Sequence, residues 1–238
     1  MGIIKTVMFD LDGTLLPFVQ EEFIKLYFGG LCKKLAPYGY DPDSVVKNVW
    51  KGTEAMVKND GSRLNSEAFW TVFRAAFPGK PDAKAFCDEF YTNEFDDVKE
   101  CLKYVPDHKP MVDRLKNAGF EVVLATNPLF PKCAVVTRLK WVGLCEDDFA
   151  YITHYDNSKF CKPNPKYFEE IIGKLGGKPE ECFMIGNSVP EDILATRAVG
   201  IDSFLASEFA ENPTGEDISQ LRSGTLEQAA EYLLKTGG

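Results

Sequence analysis

The sequence lacks a Cys-x-x-Cys pair, a signal-peptide pattern and any apolar run long enough to cross a membrane. Its seven cysteines are scattered and odd in number, which argues against a structural zinc site or a disulfide framework and favours a reducing cytoplasm. The net charge of −9 argues against nucleic acid and anionic membranes as partners, because both attract clustered Lys and Arg. We therefore expect a cytoplasmic globular protein without membrane or nucleic-acid partners. The sequence indicates no oligomeric state.

The most informative segment is residues 3–14, an apolar run that ends in Asp10-Leu11-Asp12-Gly13-Thr14. Such a run predicts a strand buried on both faces of a parallel sheet, whose functional sites lie at the carboxyl ends of strands. Residues i and i+2 of a strand point the same way, about 6.5 Å apart, so the two carboxylates would repel by roughly 2.5 kcal/mol at an effective dielectric of about 20. A shared proton or a bound cation would relieve this repulsion, and ligands that are all oxygen favour Mg²⁺. The alternative is an ordinary turn that ends a strand.

The rest of the chain divides into two patterns. Residues 18–100 carry apolar positions at helical spacing without a strand pattern, which predicts a separate all-helical module over this range. Strands and helices then alternate, so residues 1–17 and 101–238 are expected to form an α/β core, a three-layer Rossmann-like fold with a parallel sheet. A module inserted beside the aspartates favours a mobile lid, and the alternative is a helical extension packed permanently on the core.

Polar residues follow three more predicted strands. Thr126-Asn127 offers a hydroxyl and free backbone N–H groups to a phosphate oxygen, although both residues are also common helix caps. Lys162 lies between the third strand and two prolines that restrict its backbone, although a loop lysine is usually just solvated. The fourth strand is followed by Asn187, a neutral oxygen ligand, and Asp192, an anionic one that could instead complement a helix dipole.

In this order, the four segments resemble the motifs of the haloacid dehalogenase (HAD) superfamily of hydrolases, of the phosphatase type. The resemblance spans the whole predicted core and rests on Asp10-x-Asp12-Gly13-Thr14, Thr126, Lys162-Pro163 and Gly186-Asn187-Ser188 with Asp192. It implies a sheet with the strand order 5-4-1-2-3. It also implies that residues 18–100 form a helical cap of the type called C1.

The resemblance further implies roles for four residues. Asp10 would be the nucleophile that forms an aspartyl-phosphate, and Asp12 the general acid that later acts as the base. Thr126 and Lys162 would hold the phosphoryl oxygens, and Lys162 would also neutralise charge at Asp10. These roles agree with the physical requirements of phosphoryl transfer, which depends mainly on positioning of the reactants and on stabilisation of charge.

The same resemblance implies that Mg²⁺ is held by the Asp10 carboxylate, the Asp12 backbone carbonyl and a residue of the fourth motif. Relatives usually carry an acid where this chain has Asn187. Either Asn187 binds through its carbonyl oxygen, or Asp192 supplies the charge. In both cases we expect a weaker Mg²⁺ site than in relatives with the acid.

The predicted function is Mg²⁺-dependent hydrolysis of a small phosphorylated metabolite. Dehalogenases of this family generally lack the second aspartate, so Asp12 favours phosphate ester hydrolysis. A phosphomutase remains an alternative, as does a phosphonate hydrolase, which needs a cap lysine as Schiff base; the candidates are Lys25, Lys33, Lys34, Lys47, Lys51 and Lys58. A non-catalytic phospho-ligand binding module is a third alternative, but Asp10, Asp12 and Lys162 are all present and argue against it.

Overall fold

The computed structural model describes residues 4–236, so the terminal residues of the predicted core and the first residue of the predicted strand segment, Ile3, lie outside the described range. A parallel sheet of six strands has the order β3-β2-β1-β4-β5-β6. Its strands are β1 (Thr6–Phe9), β2 (Glu121–Leu124), β3 (Tyr151–Ile152), β4 (Cys182–Gly186), β5 (Asp202–Ala206) and β6 (Ser223–Gly224). The first five strands follow the expected order 5-4-1-2-3. The two-residue β6 extends the sheet beyond β5 and is too short to show a strand pattern in the sequence.

The central strand β1 is buried because it has neighbours on both edges and helices on both faces. Met8 is in register with Val123 of β2 and with Met184 of β4. Alternate residues of β1 enter two different apolar clusters: Phe9 packs in one cluster and Met8 in the other. The expected three-layer α/β core is therefore confirmed.

Five helices of the core cover the two faces of the sheet. Apolar residues of α5 (Lys109–Asn117), α6 (Lys132–Lys140) and α9 (Leu226–Thr236) join the cluster of Phe9. Apolar residues of α7 (Lys166–Leu175) and α8 (Ala195–Ala198) join the cluster of Met8. The helical segment between β4 and β5 is not α-helical throughout: it begins with a π-helical stretch over Val189–Leu194 and becomes α-helical only in α8.

Between β1 and α5 the described chain is helical, as expected. Its helices are α1 (Gln20–Leu35), α2 (Pro42–Val57), α3 (Asn65–Ala76) and α4 (Ala83–Asn93), followed by a 3₁₀ segment over Phe95–Cys101. Helix α2 begins at Pro42, and the preceding Asp41 caps it, since its side chain accepts a hydrogen bond from the Ser44 N–H at 2.9 Å. Within residues 4–236 no helix combines the length and the apolar character needed to cross a membrane.

These helices pack closely against the α/β core. The rings of Phe95 and Trp141 lie 5.7 Å apart, and the backbone N–H of Asn65 donates to the carbonyl of Ser158 at 2.9 Å. The aromatic residues Phe23 and Tyr27 of α1 belong to the same apolar cluster as Phe9. The division into a core and a movable cap stays a prediction.

Candidate active site

Asp10, Lys162 and Asp192 form a buried charged cluster at the carboxyl end of the sheet. Asp10 directly follows β1, and its backbone N–H donates to the carbonyl of Ile185 at 2.9 Å. The Nζ atom of Lys162 lies 2.8 Å from Asp10 Oδ1 and 2.6 Å from Asp192 Oδ1. The predicted proximity of Lys162 to Asp10 is therefore confirmed. Lys162 thus pairs with two carboxyl groups at once.

Burial and charge act in opposite directions on this cluster. Burial lowers the pKa of Lys162, but the carboxylates of Asp10 and Asp192 outweigh it, and the pKa is raised well above the usual lysine value. Burial raises the pKa of Asp192, with a further contribution from Asp10, while Lys162 opposes the rise. The second oxygen of Asp192, Oδ2, accepts from the backbone N–H of Ser188 at 3.0 Å. Both oxygens of Asp192 thus have partners, which ties this predicted metal ligand to Lys162.

The other predicted fourth-motif ligand, Asn187, faces Asp10 through Thr14. The Thr14 hydroxyl lies 3.1 Å from Asp10 Oδ2 and 3.2 Å from Asn187 Oδ1, so these two oxygens converge on one point. The Asn187 side chain is oriented by its Nδ2 group, which donates to the carbonyl of Phe209 at 2.8 Å. Gly13 has φ of +79°, and a Cβ there would lie 2.3 Å from Asn187 Nδ2. The glycine of the first motif thus lets the chain pass close to Asn187.

The oxygen atoms at this site are of the type that binds Mg²⁺. The oxygens of Asp10 and Asn187 are hard ligands, and Mg²⁺ in proteins usually binds one or two carboxylates together with water and substrate phosphate. The residues that the structure describes contain no group of three or more His, Cys, Asp and Glu side chains able to hold a metal ion. A site here would therefore depend on amide and backbone oxygens as well as on Asp10.

Arg138, which belongs to none of the four sequence motifs, holds the side chain of Asp12. Its Nη1 atom lies 2.7 Å from both carboxylate oxygens of Asp12, and the arginine side chain is fully buried. Burial raises the pKa of Asp12 and Asp10 adds to the rise, whereas Arg138 lowers it. The sequence does contain an indication that Arg138 has a special role. The residue lies on the buried face of α6 with Ala134 and Leu139, where an apolar residue is expected.

Thr126 and Asn127 follow β2 as expected, but they differ in what they offer to a ligand. Thr126 is buried and lines the site, and its carbonyl accepts hydrogen bonds from the hydroxyls of Thr153 at 2.7 Å and Tyr167 at 2.8 Å. The Asn127 side chain already donates from Nδ2 to Glu191 at 3.0 Å. A phosphate contact from Asn127 is therefore expected through its backbone N–H, and that role stays a prediction.

A cavity of about 580 Å³ joins these residues to the helices between β1 and α5. Its core side includes all the predicted site residues except Lys162, namely Asp10, Asp12, Thr126, Asn127, Asn187 and Asp192. Its opposite side consists of α1, α2, α3 and α4 residues that are mostly aromatic. None of its lining residues, all within 4–236, is a lysine, so the cap lysines that a phosphonate hydrolase would require do not reach the cavity.

The chain is similar to known proteins over most of its length. The family model of haloacid dehalogenase-like hydrolases matches residues 4–200. The chain is 39% identical over 215 residues to a glyceraldehyde 3-phosphate phosphatase of Methanothermobacter thermautotrophicus, with 88% of each chain covered. It is 29% identical over 228 residues to a phosphoglycolate phosphatase of Colwellia psychrerythraea, covering 91% of this chain and 89% of that one. A solved 2-haloacid dehalogenase of Pseudomonas syringae shares the fold, with a TM-score of 0.65, 22% identity, and 98% and 99% of the two chains covered.

Proposed function

Because the chain belongs to the haloacid dehalogenase-like hydrolase family, we propose that it is a Mg²⁺-dependent phosphatase that hydrolyses a small phosphate monoester through an aspartyl-phosphate. The observation that carries this proposal is the ion pair of Lys162 and Asp10, 2.8 Å apart, beside a cavity that Asp12 also lines. Relatives with similarity over most of the chain are named phosphatases, which supports the same reaction class.

In the first step, a carboxylate oxygen of Asp10 attacks phosphorus, and the bond between phosphorus and the ester oxygen breaks. Asp12 transfers its proton to the departing alkoxide, which leaves as an alcohol. In the second step, Asp12 removes a proton from water, the water oxygen attacks phosphorus, and the Asp10 carboxylate is released with inorganic phosphate. The raised pKa of Asp12 suits it to both duties, since it carries a proton more readily than an exposed aspartate.

The remaining residues support these steps through charge. Lys162 pairs with Oδ1 of Asp10, Oδ2 of Asp10 lies beside the Thr14 hydroxyl, and Asp192 holds Lys162 through a second ion pair. We assign to Thr126, which lines the cavity, the donation of its hydroxyl to a phosphoryl oxygen. We assign Mg²⁺ to Asp10, Asn187 and the backbone carbonyl of Asp12; when bound, it would offset the negative charge of the phosphoryl oxygens.

The alternative functions lose support from the same residues. A phosphonate hydrolase would need a lysine in the cavity, and the lining residues, which all belong to the described chain, include none. A binding module without catalysis would not require the nucleophile, the acid and the lysine together, and all three are present and clustered. The structural similarity to a dehalogenase establishes the fold but not the reaction.

The proposal is tested by assaying p-nitrophenyl phosphate with and without Mg²⁺ and by acid-quenching the reaction to detect a phosphorylated aspartate. We expect turnover that requires Mg²⁺ and an adduct of one phosphoryl group on Asp10. Asp10→Asn should abolish both with an unchanged melting temperature, because Lys162 keeps Asp192 as a partner. The matched control Asp97→Asn, at an exposed acid, should retain full activity. Turnover by the Asp10 variant would exclude Asp10 as the nucleophile.

A further inference from the structure

We propose that the alcohol portion of the substrate is an aromatic group without negative charge, an inference that rests on the proposed phosphatase activity. The first observation is size: the cavity beside Asp10 has a volume of about 580 Å³, which lies in the range of pockets for drug-sized ligands. An ester of a two- or three-carbon alcohol would leave most of this volume to water. A bound ring system would fill it and gain the free energy of apolar burial.

The second observation is the composition of the cavity wall. Twelve lining residues are Phe, Tyr or Trp, and they include ring pairs that already stack or meet edge to face. Phe18 and Phe23 stack with ring centroids 5.2 Å apart, and Phe69 and Trp70 meet edge to face at 5.1 Å with an interplanar angle of 85°. The rings of Phe28 and Trp50 are tilted, with centroids 5.8 Å apart. Trp50, which lines the cavity, is 47% exposed. An aromatic ligand would cover part of this exposed ring.

The third observation is charge. Six lining residues are acidic, and none of those lining residues, which all fall within 4–236, is Lys, Arg or His. The phosphoryl group has Lys162 close behind Asp10, but a second anionic group would have no cation to pair with. It would instead meet Glu21 and Glu211, which line the cavity and are exposed. The wall therefore disfavours bisphosphates and phosphorylated carboxylic acids. The substrate class is thus a phosphate monoester of an aromatic alcohol that carries no negative charge.

The test compares esters whose chemical reactivity is matched. 2-Phenylethyl phosphate and ethyl phosphate both release a primary alcohol, so a difference in kcat/KM reports the contribution of the ring. We expect kcat/KM to be at least about tenfold higher for the phenyl ester, which corresponds to about 1.4 kcal/mol. Phosphoglycolate, which adds a carboxylate, and phosphocholine, which adds a cation, should both be slower than the phenyl ester.

A variant pair links the preference to the cavity. Trp50→Ala should raise KM for 2-phenylethyl phosphate and reduce the ratio between the two esters at least about threefold. Tyr38→Ala removes another exposed aromatic ring of the helical region, one that does not line the cavity, and should leave the ratio unchanged. Equal kcat/KM values for the two esters, or a faster reaction with phosphoglycolate or phosphocholine, would overturn the inference.

A binding measurement separates this inference from the proposed activity. 3-Phenylpropylphosphonate and propylphosphonate replace the ester oxygen by a methylene and cannot be hydrolysed at that position. If no phosphate ester is hydrolysed but calorimetry shows at least about tenfold tighter binding of the phenyl compound, the phosphatase proposal fails and the aromatic site stands. Equal binding of the two phosphonates would overturn the aromatic site whether or not the protein is a phosphatase.

Discussion

Arg138 donates from Nη1 to both carboxylate oxygens of Asp12 at 2.7 Å, although the two residues are 126 positions apart in the sequence. The guanidinium is also 4.6 Å from the ring centroid of Phe130, and its Nη2 has no hydrogen-bond partner within residues 4–236. A fully buried cation in these surroundings costs free energy unless it is paired. Its pairing with Asp12 makes Arg138 a positioning residue for the proposed general acid.

We expect Arg138→Met to lower kcat at least about tenfold, or about 1.4 kcal/mol, with little change in KM, because Asp12 would no longer be held. Arg138→Lys should lose less, since it keeps the charge. The loss should be larger for ethyl phosphate than for p-nitrophenyl phosphate, whose leaving group needs no proton. The Arg138 guanidinium lies over the rings of Phe23 and Phe130, surroundings that suit the flexible methionine side chain, so we expect the melting temperature to change little. An equal loss with both substrates would argue for a general structural role.

The part of the site that the sequence predicts is the part that lies at strand ends. Asp10, Thr126 and Asn187 each follow a buried apolar run closely, and parallel strands bring their carboxyl ends to one edge of the sheet. Lys162 follows β3 at a longer interval, yet its ammonium also reaches this edge. The local sequence pattern and the sheet topology together are sufficient to predict that these residues meet at one edge of the sheet.

The remaining features depend on contacts that no local pattern records. Arg138 lies on an apolar helix face, and its role can be inferred only from the structure, which places Asp12 beside it. The aromatic residues of α1, α2 and α3 have the helical spacing of a core, yet several of them line the cavity as well. Spacing identifies the face that a side chain occupies, but it cannot distinguish a packed core from the wall of a pocket.

Gly13 gives a second prediction with a matched control. Gly13 and Gly79 have nearly the same backbone, with φ of +79° and +77°, so alanine at either position costs about 1 kcal/mol or more. Only at Gly13 does the added Cβ meet another group, 2.3 Å from Asn187 Nδ2; at Gly79 nothing lies within 4 Å. Gly13→Ala should therefore lose most of the activity and weaken Mg²⁺ activation. Gly79→Ala should be destabilised in urea unfolding but remain fully active.

Asp148 gives a prediction for the pH dependence of stability. Burial raises the pKa of Asp148, but the Cys145 N–H at 2.9 Å and the Lys109 ammonium at 3.0 Å outweigh it and lower the pKa. A carboxyl whose pKa is lower in the folded state stabilises the protein above its unfolded pKa of about 3.9, and the stabilisation disappears as the pH falls through the folded pKa.

At pH 7 we expect Asp148→Asn to lower the free energy of unfolding by about 1–3 kcal/mol relative to wild type, measured by urea denaturation. Below a pH of about 4 the difference should shrink, because protonation removes the same interactions from the wild-type protein. Asp147→Asn, at the exposed neighbouring acid, should have little effect at either pH. A difference that stays constant with pH would show that the charge of Asp148 does not contribute.

Asn187 gives a prediction about metal affinity. Asn187→Asp would place a second carboxylate beside Asp10, as in relatives with an acid at this position, and we expect it to lower the Mg²⁺ concentration for half-maximal activity about tenfold. The same change removes the hydrogen bond from Nδ2 to the Phe209 carbonyl. Without Mg²⁺ the variant should therefore be less stable than wild type by about 1–3 kcal/mol, and saturating Mg²⁺ should restore the stability.

Asp192→Asn, with Asn117→Asp as a charge control, tests whether Asn187 or Asp192 is the metal ligand of the fourth motif. Asn117→Asp adds the same charge at an exposed position and should leave the Mg²⁺ dependence unchanged, which separates a ligand effect from a change in net charge. Asp192→Asn removes a carboxylate that Lys162 already occupies at 2.6 Å, so we expect kcat to fall while the Mg²⁺ concentration for half-maximal activity stays close to that of wild type. The reverse pattern, with Asp192→Asn weakening Mg²⁺ activation and Asn187→Asp leaving it unchanged, would identify Asp192 as the ligand.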